Sequence, residues 1–427
     1  MNVGAAEIDI TPDFGVELSG FAAREQPASG VLEPIYARAV YLQEGEEKLL
    51  WVACDVVALP PELVDNVRAW AGERLGLEPR QVLLCATHTH SAPATIALNA
   101  AGKQSERYVR FLRFHIESVM QEAVRKTRGC RIVAGSVGCT MGADRRKTAS
   151  AHVDSNLWTL AFLAGSGDYV AAIVNYPMHP VALGHVERRI SPDWCGAAAA
   201  TVSRSLPGHP ITLITNGAAG NINPPALSAP PEKVRRMGDV IGRFALRCLG
   251  DKEPAVDATL AVKSIQVPLP LDVLDDEGID RAADAFVARC AADDPWAALR
   301  GNVATTWRDA MKRSVASGGG RAVPFELQAA RIGEIHIVAV NGELFSRFTE
   351  LLRKRTTANL FVVGYANAAF GYIPTKQAYA EGGYEVDEAH FFYNSFRPAE
   401  GGLELLVDRA AELISSLSPS PSGRGPG

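Results

Sequence analysis

The sequence predicts an α/β fold, a mixed β-sheet flanked by helices, on three observations. Strand-like and helix-like segments alternate along the chain. The 427 residues, 47% hydrophobic and 21% charged, are enough to bury a large core. The side chains suited to chemistry fall just after the ends of strand-like segments, where α/β proteins collect their sites.

Taken in order, residues 48–54 are apolar and end at Asp55. Residues 61–75 have helical spacing, opened by Pro61-Glu62 and closed by Gly76. A strand over 81–87 leads into two histidines, and 105–126 reads as a long amphipathic helix on which His115 is a face residue. Further strands are expected over 131–137, 157–163 and 169–176, the last running into Pro177-Met178-His179-Pro180. Residues 211–215 form another strand, entering a turn rich in glycine and asparagine. A helix over 232–249, an extended segment over 259–271 and one or two helices over 276–317 follow. A strand over 331–340 precedes Asn341-Gly342-Glu343 and a helix through 352; the last strand, 360–365, leads to Asn367.

The composition excludes several classes. A net charge of −5 provides no broad basic field for nucleic acid. Cys54, Cys85, Cys130, Cys139, Cys195, Cys248 and Cys290 are scattered without a CxxC pair, and read as reduced core residues. No basic and apolar leader opens the chain, and no run of 18 apolar residues occurs, so a cytoplasmic protein without a stable membrane anchor is expected. A single domain over 1–415 and a disordered tail over 416–427 are expected, the last ten residues being only Ser, Pro, Gly and Arg.

The most informative motif is Leu84-Cys85-Ala86-Thr87-His88-Thr89-His90-Ser91. A strand's side-chain period is two, so both imidazoles are expected to leave one face at the strand's end. Imidazole ligates zinc and also acts as an acid or base near neutral pH, so the pair suggests a metal, a base, or one of each. A polar strand end packed on a loop has the same appearance. His88, His179, Asn216, Glu343 and Asn367 each follow a separate strand, and a single sheet would gather them at one edge. Two histidines and a carboxylate make a suitable zinc set with room for water. Asp55 and Asp193 are candidates either to orient ligand imidazoles or to cap turns. His185 reads as a solvated loop residue, and Gly217-Ala218-Ala219-Gly220 as a tight turn, because it lacks the lysine of a phosphate loop.

Ordered blocks extend this reading: Gly4-Ala5-Ala6-Glu7-Ile8-Asp9-Ile10-Thr11-Pro12, Ala37-Arg38-Ala39, residues 86–93, Asn175-Tyr176 through His179, Ile190-Ser191-Pro192-Asp193, Gly342-Glu343, and Asn367 through Tyr372-Ile373-Pro374-Thr375 to Tyr384-Glu385. In these blocks the chain resembles the catalytic domain of the neutral ceramidases, amide hydrolases that use zinc, from Gly4 to about Leu405. The resemblance implies His88, His179, Glu343 and Tyr372 as Zn2+ ligands. It places His90, Arg145 and Tyr384 around the scissile group, with Arg146 as the alternative to Arg145. His90 would then be the base, with Arg145 and Tyr384 holding the oxyanion.

The departures narrow the expected substrate. Where the family carries Gly-Asp-Val-Ser-Pro-Asn, this chain has Gly220-Asn221-Ile222-Asn223-Pro224-Pro225, so the Asn223 amide replaces a catalytic-site hydroxyl. The family's carboxyl-terminal immunoglobulin-like domain and a secretion signal are also not recognisable. The expectation is a zinc-dependent hydrolase of a small N-acyl amide or lipid-like molecule, and not a typical long-chain ceramidase. An esterase or lactonase using the same metal, and a zinc-retaining binding protein, are the alternatives.

Overall fold

A computed structural model describes residues 1–250, 259–291, 294–356 and 359–417. The part of the expected tail from residue 418 onward lies outside the described residues. Eight strands form the larger sheet: β1 (Asn2–Asp9), β2 (Tyr36–Glu44), β3 (Glu47–Cys54), β4 (Val82–Ala86), β5 (Arg128–Gly138), β6 (Asn156–Ala164), β7 (Tyr169–Tyr176) and β8 (Ile211–Asn216), in the spatial order β8-β7-β6-β5-β1-β2-β3-β4. A second sheet holds β9 (Leu260–Pro270), β10 (Ala322–Ile332), β11 (Ile335–Val340) and β12 (Asn359–Val363), neighbours in that order. Both sheets are mixed: β3 and β4, β7 and β8, and β11 and β12 run parallel, and the other pairs antiparallel.

The apolar strand segments are continuous because both of their faces are covered. Leu50, Val52 and Cys54 of β3 pack on the helical side with α1 (Pro61–Leu75), α2 (Glu106–Arg125), α3 (Trp194–Ser205) and α4 (Pro231–Leu249). The alternate residues Leu49, Trp51 and Ala53 meet Ile332, Ile337 and Phe361 of the second sheet. Leu327, Val340 and Val362 face the opposite way, onto the helix Arg347–Arg353 and the C-terminal helix Gly402–Ser415. The helices named here complete the series α5 (Asp276–Ala288), α6 (Ala297–Ala316) and α7 (Arg347–Arg353). The order of layers is therefore helices, sheet, sheet, helices. Cys54, Cys85, Cys139 and Cys195 are buried free thiols, as expected. Among the described residues no helix is long and apolar enough to cross a membrane.

Two corrections follow. Residues 322–332 form a strand that the sequence hides, because Glu326 and Gln328 interrupt its apolar pattern. Both are buried, Glu326 against Arg68 at 2.8 Å and Gln328 against Asn367 at 2.7 Å. The site is also not one edge of one sheet. β1 and β5 share only the pairs Asn2↔Gly129 and Val3↔Arg128, so the larger sheet opens into two halves. Residues 364–367, just after β12, then bridge its two edge strands: Gly364 N–H donates to Asn216 O (3.0 Å) and Ala86 N–H to Tyr365 O (3.1 Å). The chemistry sits on this seam between the sheets.

Candidate functional site

β4 ends at Ala86, so His88 lies beyond the strand, with a φ of 70°. The period-two argument for the histidine pair therefore does not apply. A left-handed residue turns the chain instead, and it still brings His88 Nε2 and His90 Nε2 within 3.2 Å. His179 follows β7, and Trp194 Nε1 donates to its carbonyl at 3.3 Å. Glu343 opens a two-residue strand paired parallel with Tyr372–Ile373, which makes Glu343 and Tyr372 register partners.

The tautomers of the two buried histidines are set by backbone carbonyls. His88 Nδ1 lies 2.6 Å from Val57 O and His179 Nδ1 2.7 Å from Ala219 O, so the protons sit there and the Nε2 lone pairs face inward. They meet Glu343 Oε2, at 3.4 Å from His88 and 3.1 Å from His179. The nitrogen donors of His88, His90 and His179 all lie within 4.8 Å of one another. Two lone pairs aimed at a buried carboxylate repel it unless a proton or cation lies between them. These two donor types, imidazole nitrogen and carboxylate oxygen, suit a cation of the zinc kind. Tyr393 O–H donates to Glu343 Oε1, fixing the carboxylate from its other side. Although burial opposes ionisation, positive charge on the neighbouring imidazoles, in the place a cation would take, holds the Glu343 carboxyl well below its usual range.

Around this centre the other expected residues gather. Burial, with the neighbouring imidazoles, holds His90 well below the ordinary histidine value, and its Nδ1 has no hydrogen-bond partner among the described residues. Arg145 is pinned by Glu385 Oε1 (2.7 Å), Asn223 Oδ1 (3.2 Å) and Gly220 O (2.8 Å). Its guanidinium lies 5.4 Å from the Tyr372 ring and 6.0 Å from that of Tyr384. Arg146 turns away, to Glu385 Oε2 and Gly382 O. Burial and the Glu343 charge push the Tyr372 phenol well above its usual range, so a nearby cation is what would allow it to ionise.

Of the two roles expected for Asp55 and Asp193, the structural one holds. Asp55 accepts from Tyr36 N and Arg38 NH1, and Asp193 from Trp194 N and Leu183 N. Both brace the backbone, and backbone carbonyls orient the imidazoles in their place. Burial raises Asp193 to about 6. Asn216 Nδ2 ties Thr87 O to Met178 O, joining the two histidine segments. Asn367, with a φ of 58°, accepts from Leu84 N at 3.0 Å and donates to Gln328. Removing its amide by Asn367→Ala leaves both partners buried and unpaired, so a loss of about 2–4 kcal/mol is expected in denaturant unfolding. An unchanged midpoint would show that the seam is held elsewhere. The 217–220 turn is structural, because its carbonyls hold His179 and Arg145. His115 bonds its own helix and His185 is exposed, as expected.

Sequence reasoning missed Tyr365, Tyr393 and Glu385. Tyr365 stacks on His88 with centroids 4.0 Å apart, and its place at the end of the 360–365 segment was the available signal. Tyr393 and Glu385 lie in short helical turns with no periodicity to mark them.

A cavity of about 280 Å³ leads to the histidines, with Phe21, Ala22, Leu98, Trp296 and Phe392 among its walls and Tyr372, Tyr384 and Tyr393 beside His88 and His90. Tyr384 also borders an open groove of about 580 Å³ lined by Arg145, Arg146, Thr148 and Glu381. A further cleft of about 530 Å³, beside Arg38, Arg204 and Asp239, contains none of these site residues.

Comparison with known proteins bears on the fold and on the likeness to one family. The sequence model of the family described as neutral/alkaline non-lysosomal ceramidase, N-terminal, matches residues 1–112, which include His88 and His90. Neutral ceramidase of Pseudomonas aeruginosa is 22% identical over 505 aligned positions, covering 99% of this chain and 73% of that protein. The crystal structure of a neutral ceramidase from Pseudomonas aeruginosa superposes with a TM-score of 0.74 at 19% identity, covering 100% of this chain and 76% of that one. A ceramidase complexed with C2 gives 0.73 at 18% identity, covering 100% and 77%. At such identities the superpositions speak for the fold, the larger mixed sheet flanked by helices. The profile match over residues 1–112, the alignment along nearly the whole chain and the shared fold agree in likeness: the chain is similar to the neutral/alkaline non-lysosomal ceramidases.

Proposed function

We propose that this protein is a zinc-dependent hydrolase cleaving the carbon–nitrogen bond of a linear N-acyl amide, with His88, His179, Glu343 and Tyr372 holding the metal. The observation that carries the reading is the meeting of two inward Nε2 lone pairs with Glu343 Oε2 in a buried site. Zinc bound there supplies an acidified water near neutral pH and a Lewis acid for the scissile carbonyl.

The chain's own residues do the rest. His90, neutral through burial, takes the proton of the attacking water and returns it to the amine nitrogen as the C–N bond breaks. Arg145 has five N–H donors, and Glu385, Asn223 and Gly220 take three. Tyr372 takes a further one, and the last serves the oxygen that gains charge when water adds to the carbonyl, beside the Tyr384 hydroxyl. Asn223 cannot act as a nucleophile; its amide oxygen positions Arg145.

Long-chain ceramide suits the site poorly, because the cavity beside His90 is small and Asn223 occupies the place of the family's serine. A panel of N-acyl amines and esters, assayed with zinc beside detergent-dispersed ceramide, should show cleavage of a small N-acyl compound and weak turnover of ceramide. Ceramide turnover equal to the best panel member would return ceramide to first place. Cleavage of esters alone would make the protein an esterase.

A further inference from the structure

The geometry points to Trp296 as the residue that sets the length of the acyl chain this protein accepts, closing a cavity that takes a saturated chain of about six to ten carbons. The inference rests on the N-acyl reading and deepens it. The cavity and the polar groove meet at Tyr384, and they differ in chemistry. Among the described residues histidine is the only titratable cation in the cavity's lining, and beside Tyr372, Tyr384 and Tyr393 the walls include Phe21, Ala22, Ala23, Leu98, Trp296 and Phe392. The groove carries two arginines and two glutamates. An amide held with its carbonyl near Arg145 would therefore send its apolar acyl part into the cavity and its polar amine part into the groove.

The lining runs from buried His88 and Tyr372 to two exposed residues, Tyr384 on the groove side, 44% exposed, and Trp296, 43% exposed. Trp296 is well anchored for a gate. It sits at the start of α6, where its backbone N–H donates to Asp294 Oδ1 at 2.8 Å. α5 and α6 share a small core in which Phe286 and Trp307 pack on Phe391, two residues before Tyr393. The element that carries the gate is thus fastened to the segment that holds Glu343. A volume of about 280 Å³ is just below the usual range for ligand pockets, and at roughly 30 Å³ per small group it holds about nine heavy atoms.

Calorimetric titration of the whole protein with straight-chain alkanoates of two to sixteen carbons tests this independently of catalysis. Affinity should rise about fourfold per methylene while the chain enters the cavity, then stop rising between about six and ten carbons. Trp296→Ala should move that break several carbons longer, and Leu98→Trp should move it shorter. An identical break in wild type and W296A, or a steady rise through hexadecanoate in wild type, would overturn the inference. If the alkanoates follow the profile while no N-acyl amide is hydrolysed, the gate stands and the hydrolytic reading fails. If amides are hydrolysed without any break in chain length, the gate fails alone.

Discussion

Replacing either His88 or His179 by alanine should reduce bound zinc from about one per chain to well below half, and should lower hydrolysis by at least about a thousandfold. Each imidazole supplies one inward lone pair, and losing one leaves a single nitrogen donor with Glu343 and Tyr372. Metal affinity depends on the full donor set, and without the metal nothing would lower the pKa of the attacking water from its high bulk value. The change also leaves a carbonyl unpaired, Val57 O or Ala219 O, so a modest stability loss accompanies it. Elemental analysis of folded variants separates the two effects. Stoichiometric zinc in both variants would remove these residues from the site.

His90→Ala should behave differently, keeping zinc while losing a factor of about 10²–10⁴ in kcat, the range for general acid–base catalysis. The structure makes this a sharp test, because His90 Nε2 lies close enough to His88 and His179 to be counted among the possible ligands. If metal leaves with His90, the histidine is a ligand and the base lies elsewhere. Asp193 is not a suitable replacement, since its carboxylate is committed to Leu183 N and Trp194 N. Full activity in the variant would end the role proposed for His90.

Much of this site was legible in the sequence because its donors are rare residue types at strand ends. Histidine occurs nine times in the chain, and three of the nine meet here. The helices α1, α2 and α4 were readable from spacing and end signals, since each buries one stripe. What was hidden depended on tertiary pairing. β10 carries polar residues whose burial becomes tolerable only when Arg68 and Asn367 arrive from elsewhere. The left-handed His88 gave no local warning, for neither glycine nor proline marks it. Backbone carbonyls orient His88 and His179, and no residue type announces a carbonyl. Tyr393 reaches Glu343 from the end of a four-residue helical turn, Ala389–Phe392, too short to leave a pattern.

The most direct test of the central claim is an anomalous difference map from crystals of the zinc-loaded protein, collected on both sides of the zinc absorption edge. The account predicts one strong peak bounded by His88 Nε2, His179 Nε2, Glu343 Oε2 and the Tyr372 hydroxyl, with His90 and Arg145 facing it. A peak at any other position, or full activity in crystals and solution lacking a peak there, would contradict it.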